Sequence, residues 1–246
     1  MPESPKRPGY TFRGWYRTFP GFHSSHEEKQ TELTSTTIWD WNRDLTFTAR
    51  WTPQKCTITW DGNGGKWQSL TEQTETNVNY GVVLGSLASF TNIPTRIGYT
   101  FLGWFTHPTQ GIQVNKYTNL EAQKFGSQYK RTYYAHWELT QYTITFDEGY
   151  DQRISQVTQV YGYTLRVPEL TRFGYTFVRW NPNVPSTTPA QDTTYTAIWT
   201  PNTHKVTFNA NGGTGGWSRT MNYGAAIAPP NVTRTGYTFK GWDQEI

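Results

Sequence analysis

Cysteine is nearly missing from this 246-residue chain. Cys56 is the single one, so an intrachain disulfide framework is excluded. Long apolar runs are missing too: none approaches the roughly 20 residues that span a bilayer, so no membrane insertion is expected in this segment. The residues after Met1, PESPKRPG, hold no apolar signal stretch, so an exported protein would be longer than this sequence. Charge is sparse, at 16% charged residues and a net charge of +4. The Lys and Arg are scattered instead of forming a stripe that could track phosphates, which argues against nucleic acid as a partner. Hydrophobic residues reach only 35%, too few for one large aliphatic core.

Aromatics are abundant: 12 Trp, 16 Tyr and 13 Phe make up 17% of the chain. Each ring can bury roughly 150–250 Å², so a few per module can sustain domains too small for an ordinary core. With 22 Gly, 14 Pro and frequent Thr, the composition favours strands and turns over helices.

The aromatics recur in register. GYTFRGW at 9–15 returns as GYTFLGW at 98–104, GYTFVRW at 174–180 and GYTFKGW at 236–242. A second motif follows the first three copies: LTFTARW at 45–51, TYYAHW at 132–137 and TYTAIW at 194–199. A third reads CTITWDGNGG from Cys56, YTITFDEG from Tyr142 and KVTFNANGG from Lys205. Trp51, Trp137 and Trp199 are spaced by 86 and 62 residues, and Ile58, Ile144 and Val206 keep the same steps. Between these motifs lies a YG element, at Tyr80–Gly81, Tyr161–Gly162 and Tyr223–Gly224.

Cys56, Ile58 and Trp60 alternate with Thr57 and Thr59, the period of a half-buried strand. Asn63–Gly64 and Asn211–Gly212 tolerate positive φ and predict type I′ hairpin turns, whereas Asp147–Glu148–Gly149 breaks that pattern and predicts a different turn. Four modules follow: a C-terminal part at 6–52, complete modules at 55–139 and 141–200, and an N-terminal part at 203–246. Their short linkers, TPQK, ELTQ and TPNT, predict a semi-rigid array. Chain length varies after GYTF, with 38, 35 and 21 residues from its Gly to the first aromatic of the next motif in the first three copies. That loop takes the insertions.

The combination of TVTFxANGG, a YG element, TRxGYTFxGW and YTAxW resembles the internalin B-repeat family, also called the Listeria and Bacteroides repeat. The likeness covers nearly the whole chain; Arg179, standing where the other copies have Gly, departs from it. The resemblance implies a β-rich α+β fold: an elongated rod of small β-grasp-like modules, extracellular, on the surface of a bacterial cell.

Residues recurring at one place in every module are expected to form its core: Tyr10, Phe12, Trp15, Trp51, Ile58, Trp60, Tyr99, Phe101, Trp104, Trp137, Ile144, Phe146, Tyr175, Phe177, Trp180, Trp199, Val206, Phe208, Tyr237, Phe239 and Trp242. Trp39 and Trp41, two apart in the inserted loop, and Trp67 and Trp217, just beyond the Asn-Gly turns, are the candidates for ligand contact. HSSHEE at 23–28 reads as a solvated loop, since no further ligand cluster completes a metal site. Asp61, Asn63 and Asp147 are too few for a calcium shell. No GxSxG elbow, phosphate-binding Gly loop or HExxH motif is present, so no catalytic residue set and no cofactor is expected.

The expected function is a non-enzymatic stalk or adhesin segment. Two alternatives stay open: a filament or sheath subunit assembled through open strand edges, and a carbohydrate-binding module. Partners on these readings are other copies or neighbouring repeats, or a host or matrix protein or glycan.

Overall fold

The structure, a computed structural model, describes residues 4–17 and 46–243. The chain is β-rich: among the described residues there are fourteen strands in four sheets and a single α-helix of four residues. It divides into two compact units, Met1–Leu139 and Thr140–Ile246.

The first unit opens with β1 (Tyr10–Arg17) paired antiparallel to β2 (Phe47–Pro53). Phe12 sets its ring edge-on to Trp15 and Trp51, at 5.6 and 5.4 Å. The rest of the unit is one sheet. It holds β3 (Lys55–Asp61), β4 (Glu72–Asn79), β5 (Tyr99–Phe105), β6 (Gln113–Val114), β7 (Gln123–Phe125) and β8 (Gln128–Leu139). Its order is β4-β3-β8-β5-β6, with β7 pairing β8 off that path. β4 and β5 flank the centre antiparallel, and the central pair β3–β8 is parallel.

A parallel pair needs a crossover: residues 80–98 pass from β4 to β5 on the other side of the centre, carrying α1 (Ala88–Thr91) and the buried Leu84, and the connection from β6 to β7 adds the buried Leu120. Under this cover Cys56, Ile58 and Trp60 point inward, as their alternation requires. Trp60 stacks on Tyr133 at 5.1 Å and meets Trp104 edge-on at 4.9 Å; Phe101 lies edge-on to both Trp104 and Trp137.

The second unit repeats the plan with less chain. Strands β9 (Gln141–Asp147), β10 (Ile154–Val160), β11 (Tyr175–Asn181) and β12 (Thr193–Pro201) lie in the order β10-β9-β12-β11, again with a parallel central pair. Ile144, Phe146, Leu165, Trp180, Tyr195 and Ala197 form its buried core, and Phe177 and Trp199 pack against it half-buried. A separate antiparallel pair, β13 (Thr203–Phe208) with β14 (Trp217–Asn222), follows. There Val206 is half-buried and Phe208 buried, the latter 4.7 Å from Trp242.

Two local features differ from the sequence reading. Asn63–Gly64 and Asn211–Gly212 do take positive φ at both residues, but each turn only begins a longer connection, because residues 62–71 and 209–216 separate the paired strands. The middle copy has the different turn expected of it: its two consecutive positive-φ residues are Asp151 and Gln152, beyond Asp147–Glu148–Gly149. The fourth GYTF copy forms no strand: no YTAxW segment pairs with it among the described residues, and Tyr237 and Phe239 are 67% and 52% exposed.

Arg179 keeps the strand irregularity that its motif places there. The register slips between Phe177 and Arg179 as it does between Phe12 and Gly14 and between Phe101 and Gly103. The two glycines take φ near +122° and +132°, whereas Arg179 makes the same bulge without positive φ.

Trp60 is fully buried at the centre of the first aromatic core. Replacing it by Ala should cost about 3–5 kcal/mol, read as a lowered denaturation midpoint for the Met1–Leu139 unit. Burial pushes the Cys56 thiol up from its ordinary value. Its contribution to stability is therefore complete below the unfolded pKa, about 8.5, and is lost as pH rises towards the folded value. Alkylation at pH 8 should leave the native protein unlabelled and label it once denaturant is added.

Candidate functional site: the joint between repeats

Strand β2 ends at Pro53 and β3 begins at Lys55, so a single residue, Gln54, links two repeats. The Gln54 amide donates to the Gly9 carbonyl at 2.8 Å, and the Gln54 carbonyl accepts from the Tyr80 amide at 2.9 Å. The N–H and C=O of one extended residue point to the same side. The start of β1 and the end of β4 therefore meet end to end beside the linker, and hydrogen bonding runs unbroken from one repeat into the next. The second unit builds the same joint: the Asn202 amide donates to the Gly174 carbonyl at 2.8 Å and its carbonyl accepts from Tyr223 at 2.7 Å. Side chains reinforce both, Gln54 Nε2 donating to Thr11 Oγ1 and Thr176 Oγ1 to Asn202 Oδ1.

The tyrosines and glycines of the motifs meet here. Gly9 has φ of +77°, and a Cβ added to it would stand 2.4 Å from the ring of Tyr80. Gly174, also at +77°, would place one 2.3 Å from the ring of Tyr223. Glycine is thus required twice over, by its backbone and by the ring laid on its Cα face. Tyr10 meets Tyr80 edge-on at 5.6 Å, and Tyr175 meets Tyr223 at 5.7 Å. Such pairs contribute about 0.5–1.5 kcal/mol beyond the area they bury. The guanidinium of Arg7 lies 3.9 Å over the Tyr10 ring and that of Arg172 lies 3.8 Å over the Tyr175 ring. Burial, then the Glu121 carboxylate, push the Tyr80 hydroxyl above its ordinary pKa.

Tyr10 and Tyr175, expected in the core, are therefore half-buried parts of a joint. The signal lay in the pairing of two motifs. GY and YG recur together, and at the first joint each supplies a ring for the other's glycine: a Cβ on Gly81 would stand 2.5 Å from the Tyr10 hydroxyl. Tyr99 carries the equivalent cation, Arg96, 3.9 Å over its ring.

The four candidate tryptophans do not come together. Trp39 and Trp41 lie outside the described residues, as does HSSHEE. Trp67 is in the core, where it stacks on Trp104 at 5.9 Å and donates its indole N–H to the Asn92 carbonyl at 2.7 Å. Its place beyond a turn made it look exposed, but residues 66–70 fold back through bridges to Thr95 and within the loop. Trp217 is half-buried on β14 against Phe208, with Arg219 3.9 Å over its ring. Trp137 and Trp199 send their indole N–H groups to the carbonyls of Gly62 and Glu148, at 2.9 and 2.7 Å, tying the last strand of each complete repeat to the turn after its first. Among the described residues no group of three or more His, Cys, Asp or Glu could hold a metal ion, and no helix is long and apolar enough to cross a membrane.

Comparison with known proteins agrees with this periodicity. The family model described as the Listeria-Bacteroides repeat domain matches residues 1–50, 57–131, 142–200 and 204–245. Two proteins of Evansella cellulosilytica are similar along almost the whole chain. One, named "Putative Gly-rich membrane protein", is 25% identical over 96% of this chain. The other, named "Putative membrane protein", is 24% identical over 99% of it. The chain spans 26% and 35% of the lengths of these relatives.

Gly9→Ala should destabilise more than Gly236→Ala. Both glycines have φ near +80°, but Gly236 has nothing within 4 Å of its added Cβ, so only the first must also displace a ring. The shared backbone term is about 1–2 kcal/mol. In Gly9→Ala, hydrogen exchange at the Gln54 and Tyr80 amides should speed up while the amides of β3 and β8 stay protected; unchanged exchange at Gln54 would remove the ring contact from the joint.

Proposed function

Because the chain belongs to the Listeria-Bacteroides repeat family, we propose that it is a non-catalytic, surface-associated spacer segment: a semi-rigid stalk of tandem β-grasp-like modules that holds other parts of a longer protein away from a cell. The observation that carries this reading is the one-residue linker whose amide and carbonyl are both engaged by the flanking repeats. A spacer must transmit position from one repeat to the next, and a linker with no free backbone groups does so. The strand order β4-β3-β8-β5, with its parallel centre and short helical crossover, supports the β-grasp comparison. The membrane-protein names of the two relatives support a place at the cell envelope.

Small-angle scattering tests the stalk. A compact 246-residue globule would have a radius of gyration of about 18 Å; a rod of repeats should give a value well above that, with the pair-distance tail of an elongated particle. A compact value would overturn the stalk reading. Surface association is tested separately, by adding protease to intact cells that make the protein and following loss of this segment. Survival of the segment until the cells are lysed would overturn it.

A further inference from the structure

In both complete repeats the strands by which the chain enters and leaves lie side by side and parallel. β3 faces β8 through six register pairs, from Cys56↔Tyr129 to Asp61↔Tyr134. β9 faces β12 through four, from Ile144↔Thr193 to Asp147↔Thr196. Chain entry is at Lys55 and Gln141, and exit at Leu139 and Pro201. Tension on the backbone therefore draws the first strand towards its N-terminus and the last towards its C-terminus. The two slide along their own axes, across the hydrogen bonds that join them. All bonds of the ladder are loaded together, and none can break first at low cost.

We propose that each complete repeat is a shear clamp, built to bear tension along the chain, and that 55–139 is the stronger of the two. This deepens the spacer reading and rests on it, since a surface spacer is pulled whenever its far end is held. Three further features suit the task. The linkers Gln54 and Asn202 put no slack loop between one repeat's last strand and the next repeat's first. The indole bonds Trp137 to Gly62 and Trp199 to Glu148 add a cross-tie between the last strand and the end of the first. In the longer repeat Asn63 Nδ2 adds another, donating to the Ala135 carbonyl at 2.9 Å. The core also sits on this pair, because Ile58, Trp60, Tyr133 and Ala135 all come from β3 and β8.

Single-molecule force spectroscopy on the full chain, held by its ends, tests the proposal. Two discrete steps are expected. Residues 55–139 and 141–200 release about 310 Å and about 220 Å of contour at ~3.6 Å per residue, less their folded spans. The shorter step should come at the lower force. The decisive comparison pulls the same repeat in another direction. With Cys56→Ala removing the native thiol, handles at Lys55→Cys and Asn79→Cys grip register partners at the open end of the β3–β4 hairpin. This pair should unzip bond by bond, at a force several-fold below that of the end-pulled step. Equal forces in the two directions, or smooth extension of 55–139 without a step, would overturn the clamp. The end-pulled measurement needs no variant, so a folding defect in the handled protein cannot mimic that result. Scattering and protease accessibility do not depend on these forces, so the spacer reading would survive the failure of this one.

Discussion

The parallel pairing of each complete repeat's first and last strands is the constraint from which the rest follows. Once those two strands hold the centre, the second and third strands must lie outside them. The chain between must cross over the sheet, and it is this crossover that covers the aromatic core. The same pairing sends the last strand out of the repeat in the direction the next first strand takes. At Gln54 and at Asn202 the joint then needs only one residue, and the outer strands on either side of it come to lie end to end.

The joint shows how little chemistry this arrangement requires. One residue supplies an amide and a carbonyl, one glycine clears space for a ring, and one arginine covers the opposite ring. This suits a chain in which only 16% of residues are charged.

Much of the fold was legible in the sequence because repetition does the work of comparison. The alternation at Cys56, Ile58 and Trp60 gave their strand and its buried face, and the steps of 86 and 62 residues marked the copies. What alternation cannot reveal is which strand lies beside which, so the parallel centre was not legible. Recurrence was misleading in one respect. A residue that returns in every copy has the same surroundings in each, and those surroundings can be a joint as well as a core; Tyr10 and Tyr175 belong to the former. Trp67 misled for a different reason. Its burial depends on a return of the chain to Thr95, far along the sequence, where no local pattern announces it. The fourth GYTF copy shows the converse: the same seven-residue unit that pairs as a strand elsewhere leaves Tyr237 and Phe239 exposed where no partner strand meets it.

The joints at Gln54 and Asn202 are made by the same few atoms, and both complete repeats carry a YG and a GY in their sequence. Where two repeats meet as they do at Gln54 and Asn202, the GY of one is complementary to the YG of the next. A genetic duplication or deletion that cuts at equivalent points in two repeats leaves a matched contact at the scar. Such a chain can grow or shorten by whole steps without having to invent a new interface.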